Sequence, residues 1–411
     1  MFKLLVDTVK DHVSGNKAKA NARLGLVRPP EGSGKLIWLV ADDSYDSVLM
    51  AAALLSAIRE KRQDVRLVLT YQAEYKDIIV HHMSGAKKIG FGYGCGDSVF
   101  AARQMLKRLS PFAIVFAGHQ PKKSMLEALE NTPAIHKIAF QFKPTVRPGN
   151  TGKKVSENND KDGAEVYEAC YPDTVSNHLL DMTVSKHTST PFNVLTRLVQ
   201  SQVDRQLGAL LCGDCFNTLF HVHNPDKKSL SNILSGWKNT PISDGNILVL
   251  SFSNRSLHNS PSNSEPSLII NACKSIVSEA GYSPVLLSQW NQSPVVKGSV
   301  IIVDEEKWYA AICASSAATH LFSTNAFHFW QAVSSGSIIS CDTEYNEMAV
   351  SFNTIVGEAA HFEDVLQEWV RIENNPVVQR NKSDAIRKLF WAERREAETQ
   401  TDALLQRVYN W

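Results

Sequence analysis

The stretch that decides the fold is Lys35-Leu-Ile-Trp-Leu-Val-Ala-Asp-Asp-Ser-Tyr-Asp-Ser-Val-Leu-Met-Ala-Ala-Ala-Leu-Leu55. An apolar run of strand length, Leu36 to Ala41, meets a polar turn, Asp42 to Ser47, and then an Ala/Leu-rich helical pattern. A Pro/Gly-rich approach, Arg28-Pro-Pro-Glu-Gly-Ser-Gly34, precedes it. This is a strand–loop–helix that opens a doubly wound domain, with the loop at the C-terminal end of the strand, where such sheets bind ligands.

The alternation continues outward from there. Strands are predicted at 35–41, 65–70, 87–91, 112–117 and 137–142, with helices at 47–62, 73–84, 97–110 and 122–131. Repeated strand–helix units imply a parallel sheet with right-handed crossovers. Residues 144–164 read as a polar loop, and 165–225 as short strands with a helix at 192–206. A second series follows, with strands at 246–252, 283–288, 298–303, 318–322 and 336–340 and helices at 265–280, 305–315, 327–334 and 362–373. A long charged helix from Val378 ends the chain. The expected organisation is an N-terminal Rossmann-like domain over 1–225, a linker at 226–245 and a C-terminal Rossmann-like domain over 246–411, whose last helix crosses back.

Bulk properties narrow the function. The 411 residues are enough for two domains, each with its own core. The 43 basic and 42 acidic residues leave a net charge of +1, which disfavours nucleic-acid binding through a global basic field. Seven scattered cysteines argue for a reducing compartment rather than a disulfide framework, so a cytoplasmic location is expected. No run approaches the ~18 apolar residues of a membrane span. Residues 1–23 form an amphipathic pattern with Phe2, Leu5, Val6, Val9 and Val13 on one face. That pattern fits a helix packed on its own domain. It also fits a helix lying peripherally on the inner membrane, since Lys10, Lys17, Lys19 and Arg23 add positive charge.

The opening stretch closely resembles that of the bacterial Kdo transferases, which move 3-deoxy-manno-octulosonic acid from CMP-Kdo onto lipid A. The family's first loop reads Ser-Val-Gly-Glu, with the Glu taken as the base; here it reads Ser44-Tyr45-Asp46-Ser47. Residues Asp97 to Phe116 resemble the helix and strand before the family's Glu-Thr-Glu-Leu-Trp-Pro-Asn motif, which Gly118-His119-Gln120-Pro121 replaces. Residues Asp304 to Phe322 resemble the approach to the family's Gly-Gly-His-Asn-Pro-Leu-Glu motif. Asn325 to Gly336 stand in its place, with Gln331 at the position of its Glu. The resemblance implies a GT-B fold: two Rossmann-like domains with parallel sheets facing a central cleft and a C-terminal helix crossing back. It also implies a nucleotide sugar, CMP-Kdo or a related CMP-activated acid, as co-substrate with no further cofactor. The implied acceptor is a lipid-linked or envelope saccharide.

Glycosyl transfer needs a base for the acceptor hydroxyl, donors for the leaving phosphate and a nucleotide grip. Asp46 and His119 are the catalytic candidates, with Asp42 and Asp43 in the same loop as Asp46. Asp46 and Ser47 serve equally well as helix caps. Strand-to-helix junctions of the second half offer Ser253, Asn254 and Arg255, and then Ser323, Thr324 and Asn325, as phosphate-gripping groups. Asn325, His328 and Gln331 would line one side of a nucleotide pocket, and none of these sites calls for a metal. Gly90, Gly92, Gly94 and Gly96 read as a flexible turn or a phosphate-approaching loop. Cys212-Gly-Asp-Cys215 lacks a second ligand pair at zinc-finger spacing, since His221 and His223 lie too close. A second function class stays open: a non-catalytic relative, missing the family's carboxylates, that binds a nucleotide or saccharide or partners a true transferase.

Overall fold

A computed structural model describes residues 2–75, 78, 88–117, 122–130, 132, 135–140, 181–183, 217–223, 227–244, 247–253, 265–290, 295, 298–304, 309–316, 318–322, 326–341 and 362–410. The chain divides into two units, one of residues 1–192 with 399–411, the other of residues 193–398.

The first unit opens with a helical hairpin, α1 (Phe2–Val13) and α2 (Lys17–Arg23). Its sheet is built from β1 (Leu36–Val40), β2 (Arg66–Tyr71), β3 (Ile89–Tyr93), β4 (Ala113–Ala117), β5 (His136–Phe140) and β6 (Asp181–Thr183). Helices α3 (Tyr45–Lys61), α4 (Val99–Leu109) and α5 (Lys123–Glu130) intervene. The strand order is β3-β2-β1-β4-β5-β6 and every pairing is parallel. This is the doubly wound order, whose direction reverses between β1 and β4. All five residues of β1 and of β4 are buried, as expected for central strands with both faces covered. Trp38, Val68, Met105, Leu106, Ile114, Phe116 and Leu129 share one core on the α4/α5 side. Trp38 also directs its indole N–H to Thr70 Oγ1 at 2.8 Å, so the ring is buried without losing its polar partner.

The hairpin is fixed to β3 by polar contacts. Asn16 caps α2 by accepting from Lys19 N at 3.0 Å, while its side-chain amide donates to Tyr93 OH at 3.3 Å. Lys19 lies over the Tyr93 ring. Asp7 and Asp11 of α1 pair with Arg23 of α2. The sequence suggested that the apolar face of α1 would make the packing. Instead Leu5, Val6, Val9 and Val13 are 51%, 49%, 61% and 82% exposed. The helix does pack on its own unit, but through its other side.

The second unit contains β7 (Asn217–His223), α6 (Lys227–Lys238), β8 (Ile247–Ser253), α7 (Glu265–Glu279), β9 (Ser283–Leu286) and β10 (Ser299–Val303). Then come α8 (Tyr309–Ser315), β11 (Ala318–Phe322), α9 (Ala326–Ser335), β12 (Ile338–Cys341) and α10 (Phe362–Glu373). The sheet runs β12-β11-β7-β8-β10-β9, again wholly parallel. Trp237 and Trp369 are buried in its core with Leu230, Ile233, Leu234, Leu250, Ile276 and Ile302.

Here the expected boundaries need correction. The strand at Asn217–His223 sits at the middle of the second sheet, between β11 and β8, so that sheet begins before residue 225. The segment 226–245, expected as linker, contains α6 and a short 3-10 turn at Pro241–Asp244. Its polar ends read as a joint, yet Leu230, Ile233, Leu234 and Trp237 recur at helical spacing and are all buried. Each such side chain stabilises the fold by roughly 1.5–3 kcal/mol. The helix expected at 192–206 lies outside the described residues, as does most of that expected at 73–84.

The last helix, α11 (Pro376–Asn410), starts in the second unit and ends in the first. Within the first unit its end is held by Arg62, whose guanidinium donates to the Tyr409 carbonyl at 2.9 Å. Tyr409 OH donates in turn to the Ala57 carbonyl at 3.3 Å. A cation at the last carbonyls of a helix satisfies orphan acceptors and opposes the helix dipole. No described helix is long and apolar enough to cross a membrane.

Candidate functional site

In an open parallel sheet, ligands bind beyond the carboxyl ends of the strands where the winding reverses. In the first unit that point lies between β1 and β4. The chain leaves β1 through Ala41, whose N–H still reaches the Thr70 carbonyl at 2.8 Å, and Asp42, whose carbonyl accepts from Gln72 N at 3.0 Å. The turn then closes on itself. Asp42 Oδ1 accepts from both the N–H and the hydroxyl of Ser44, each at 2.7 Å. Ser44 is the N-cap of α3 and accepts from Ser47 N at 3.2 Å. Ser47 Oγ donates to the Ala117 carbonyl at 2.6 Å and accepts from Asp42 N at 3.0 Å. One hydroxyl thus ties the ends of β1 and β4 together at the reversal. Tyr75 adds a brace, donating to the Asp43 carbonyl at 2.8 Å and packing edge-on against Tyr45.

These contacts sort the candidates of the loop. Asp42 and Ser44 shape the turn, and Ser47 is a staple with 0% exposure, so Ser47 does not present its hydroxyl to a ligand. The cap expected from Asp46 or Ser47 is supplied by Ser44. Asp46 is the second residue of α3 and only 5% exposed. A carboxylate in a first helical turn is favoured by the dipole and by the free N–H groups there. Asp43 is exposed on the same turn. His119, the other catalytic candidate, lies outside the described residues.

In the second sheet the winding reverses between β7 and β11. His223, the last residue of β7, is in register with Ser253, the last residue of β8. Sequence reasoning named His223 only beside Cys212 and Cys215, at a spacing that does not fit a zinc finger. Its adjacency to Ser253 follows from β7 being in this sheet, a non-local fact with no sequence signal of its own. Asn254, Arg255, Ser323, Thr324 and Asn325 lie outside the described residues, as do Cys212 and Cys215.

His328 and Gln331 are described, one turn apart on α9, and each is only 2% exposed. The His328 ring meets Tyr309 of α8 edge-on at 4.7 Å, and Tyr309 OH donates to the His328 carbonyl at 3.2 Å. The Gln331 amide points to Ser334 Oγ at 3.4 Å. The His328 side chain therefore packs between α8 and α9, and Gln331 is buried on α9. The glycines after β3 serve packing. A Cβ at Gly94 would stand 2.6 Å from the Gln72 amide, and one at Gly96 would stand 2.8 Å from Leu4 of α1.

No family model matches this chain, and no curated protein sequence matches it. Solved structures do. TcCGT1 in complex with UDP aligns at TM-score 0.52 and 10% identity, covering 91% of this chain and 99% of its own. A Listeria monocytogenes protein assigned as a UDP-N-acetylglucosamine 2-epimerase aligns at 0.51 and 10%, covering 92% and 98%. S. aureus MnaA, solved with UDP, aligns at 0.50 and 11%, covering 85% and 91%. The likeness is one of fold. It spans both units, and the fold is GT-B.

Proposed function

We propose that this chain is a GT-B glycosyltransferase that uses a nucleotide sugar and passes its sugar to a saccharide or glycolipid acceptor. The observation that carries the proposal is the pair of wholly parallel sheets, each with a winding reversal, aligned along nearly their whole length with nucleotide-complexed structures. In this reading the second unit grips the nucleotide through the strand ends at Ser253 and the segment before α9. The first unit supplies the base from the loop after β1. Asp46 is the chosen base because it is the carboxylate nearest to the family's Glu in sequence.

Two donor classes compete. The resemblance of Ser44–Ser47 and Asn325–Gly336 to the Kdo transferases favours a CMP-linked acid sugar and an envelope acceptor at the inner membrane face. The fold neighbours solved with UDP favour a uridine nucleotide. Titrating the protein with CMP, UDP, GDP and ADP by calorimetry decides between them, and no binding by any of the four would favour the non-catalytic reading. With a turning-over donor, Asp46→Asn should lower turnover by about 10²–10⁴, the usual worth of a general base, with donor binding unchanged. Full activity in Asp46→Asn would remove Asp46 from the mechanism.

A further inference from the structure

The face that α1 turns to solvent has a specific composition. From Leu4 to Lys19, Leu5 and Val6 are about half exposed, Val9 and Val13 more so, and the four recur at helical spacing, forming one apolar stripe along a helix about 18 Å long. The exposed ionisable side chains of this stretch are Lys10, His12 and Lys17. Lys10 and His12 border the stripe, and Lys17 begins α2. The two carboxylates are turned the other way. Asp11 is mostly buried and Asp7 half-buried, and both pair with Arg23. In an ordinary surface helix the apolar stripe faces the core and the charges face water. Here the arrangement is inverted: Arg23 of α2 holds α1 through Asp7 and Asp11, and Asn16, the cap of α2, holds the hairpin to Tyr93 of β3.

Burying four aliphatic side chains against its own domain would have been favourable, so an outward stripe with Lys10 beside it and Lys17 at the start of α2 indicates a partner that is apolar inside and anionic at its surface. We infer that α1 is an interfacial helix that docks the protein on an anionic phospholipid bilayer, with Leu5, Val6, Val9 and Val13 among the acyl chains and Lys10 and Lys17 at the headgroups. A helix of this kind lies in the plane of the interface, its apolar side in the headgroup–acyl boundary. Cations beside it add attraction to acidic lipid. The inference rests on the proposed lipid-linked acceptor only for its purpose, and it is tested without donor or acceptor, so either can fail alone.

The test is flotation of the full-length protein with vesicles of phosphatidylcholine alone and of phosphatidylcholine mixed with phosphatidylglycerol. Binding should be confined to the anionic vesicles and weaken as salt is raised. Lys10→Gln should lower partitioning about fivefold, the worth of one basic residue near such a surface. Val9→Asp with Val13→Asp should abolish it. Both positions are exposed, so the circular dichroism and melting temperature of that variant should match the parent, separating lost docking from lost folding. Absence of wild-type binding to anionic vesicles overturns the inference. So does a double variant that floats like the parent. Sedimentation showing self-association that Val9→Asp abolishes, without vesicle binding, would assign the stripe to a second copy and overturn it too.

Discussion

Ser47 shows how much a single hydroxyl can determine. It is fully buried and joins the N–H of Asp42 to the carbonyl of Ala117 across the reversal of the first sheet. Ser47→Ala removes a buried donor and acceptor while leaving their partners in place, which costs about 1–3 kcal/mol. Urea denaturation should show that loss as a lower midpoint with an unchanged slope. The sequence identified this turn as the place to look, but it could not separate the roles within it. Asp42, Asp43, Ser44, Asp46 and Ser47 are all good caps by type. Which one caps is set by the register of the turn, and the bonds of Asp42 to Ser44 fix that register. Burial likewise decides the state of two cysteines. It pushes the Cys95 thiol up to about 11 and the Cys273 thiol up to about 12. The thiolate is the reactive form, so both should resist iodoacetamide in the native protein at neutral pH and react once urea unfolds it, as read by mass spectrometry.

At the level of elements, the central strands and their helices were legible because each carries its own period and its own stop signals. The strand expected at 318–322 is Ala318–Phe322, and the helix expected at 362–373 is Phe362–Glu373. The membership of β7 was not legible, because a strand's sheet is chosen by its crossover and its partners, not by its own residues. The inverted pose of α1 was hidden for a related reason: periodicity reveals a face but not the direction in which it points. Two substitutions probe the joins. Gly25 has φ +74, and a Cβ there would stand 2.4 Å from the Ala101 carbonyl. Gly25→Ala should therefore lower stability by more than about 1 kcal/mol, through strain at a positive φ and through the clash. Arg62, which holds the end of α11, is itself bonded to Asp64 at 2.8 Å. That bond to Arg62 lowers the Asp64 carboxyl to about 2, below its ordinary value of 3.8. A depressed carboxyl contributes stability that is complete above the unfolded value and is lost as pH falls from about 4 toward 2. The pair is solvent-exposed on the Asp64 side, so the contribution is small. Unfolding curves across that window should be shallower in pH for Asp64→Asn than for the parent.

On the scale of the whole molecule, two alternating series together with the family resemblance were sufficient to read a two-unit GT-B chain, though not where the units divide, and the structural likeness spans nearly all of it. The proposed nucleotide site was less legible. Its expected residues are strand-to-helix junctions, where the chemistry comes from backbone N–H groups that any side chain can accompany. The closing helix carries a consequence for the protein's synthesis. Residues 399–411 belong to the unit begun at residue 1, with Leu405 and Val408 buried in it. On the ribosome, the first unit emerges without these last turns while residues 193–398 are still being made. At ordinary rates of translation that interval is roughly ten to forty seconds. During it, the surface that Leu405 and Val408 will cover is open and Arg62 has no helix end to hold. The unit born first is therefore the one finished last, and a nascent chain stalled just before Thr399 should be cut by protease in its N-terminal unit faster than the released protein.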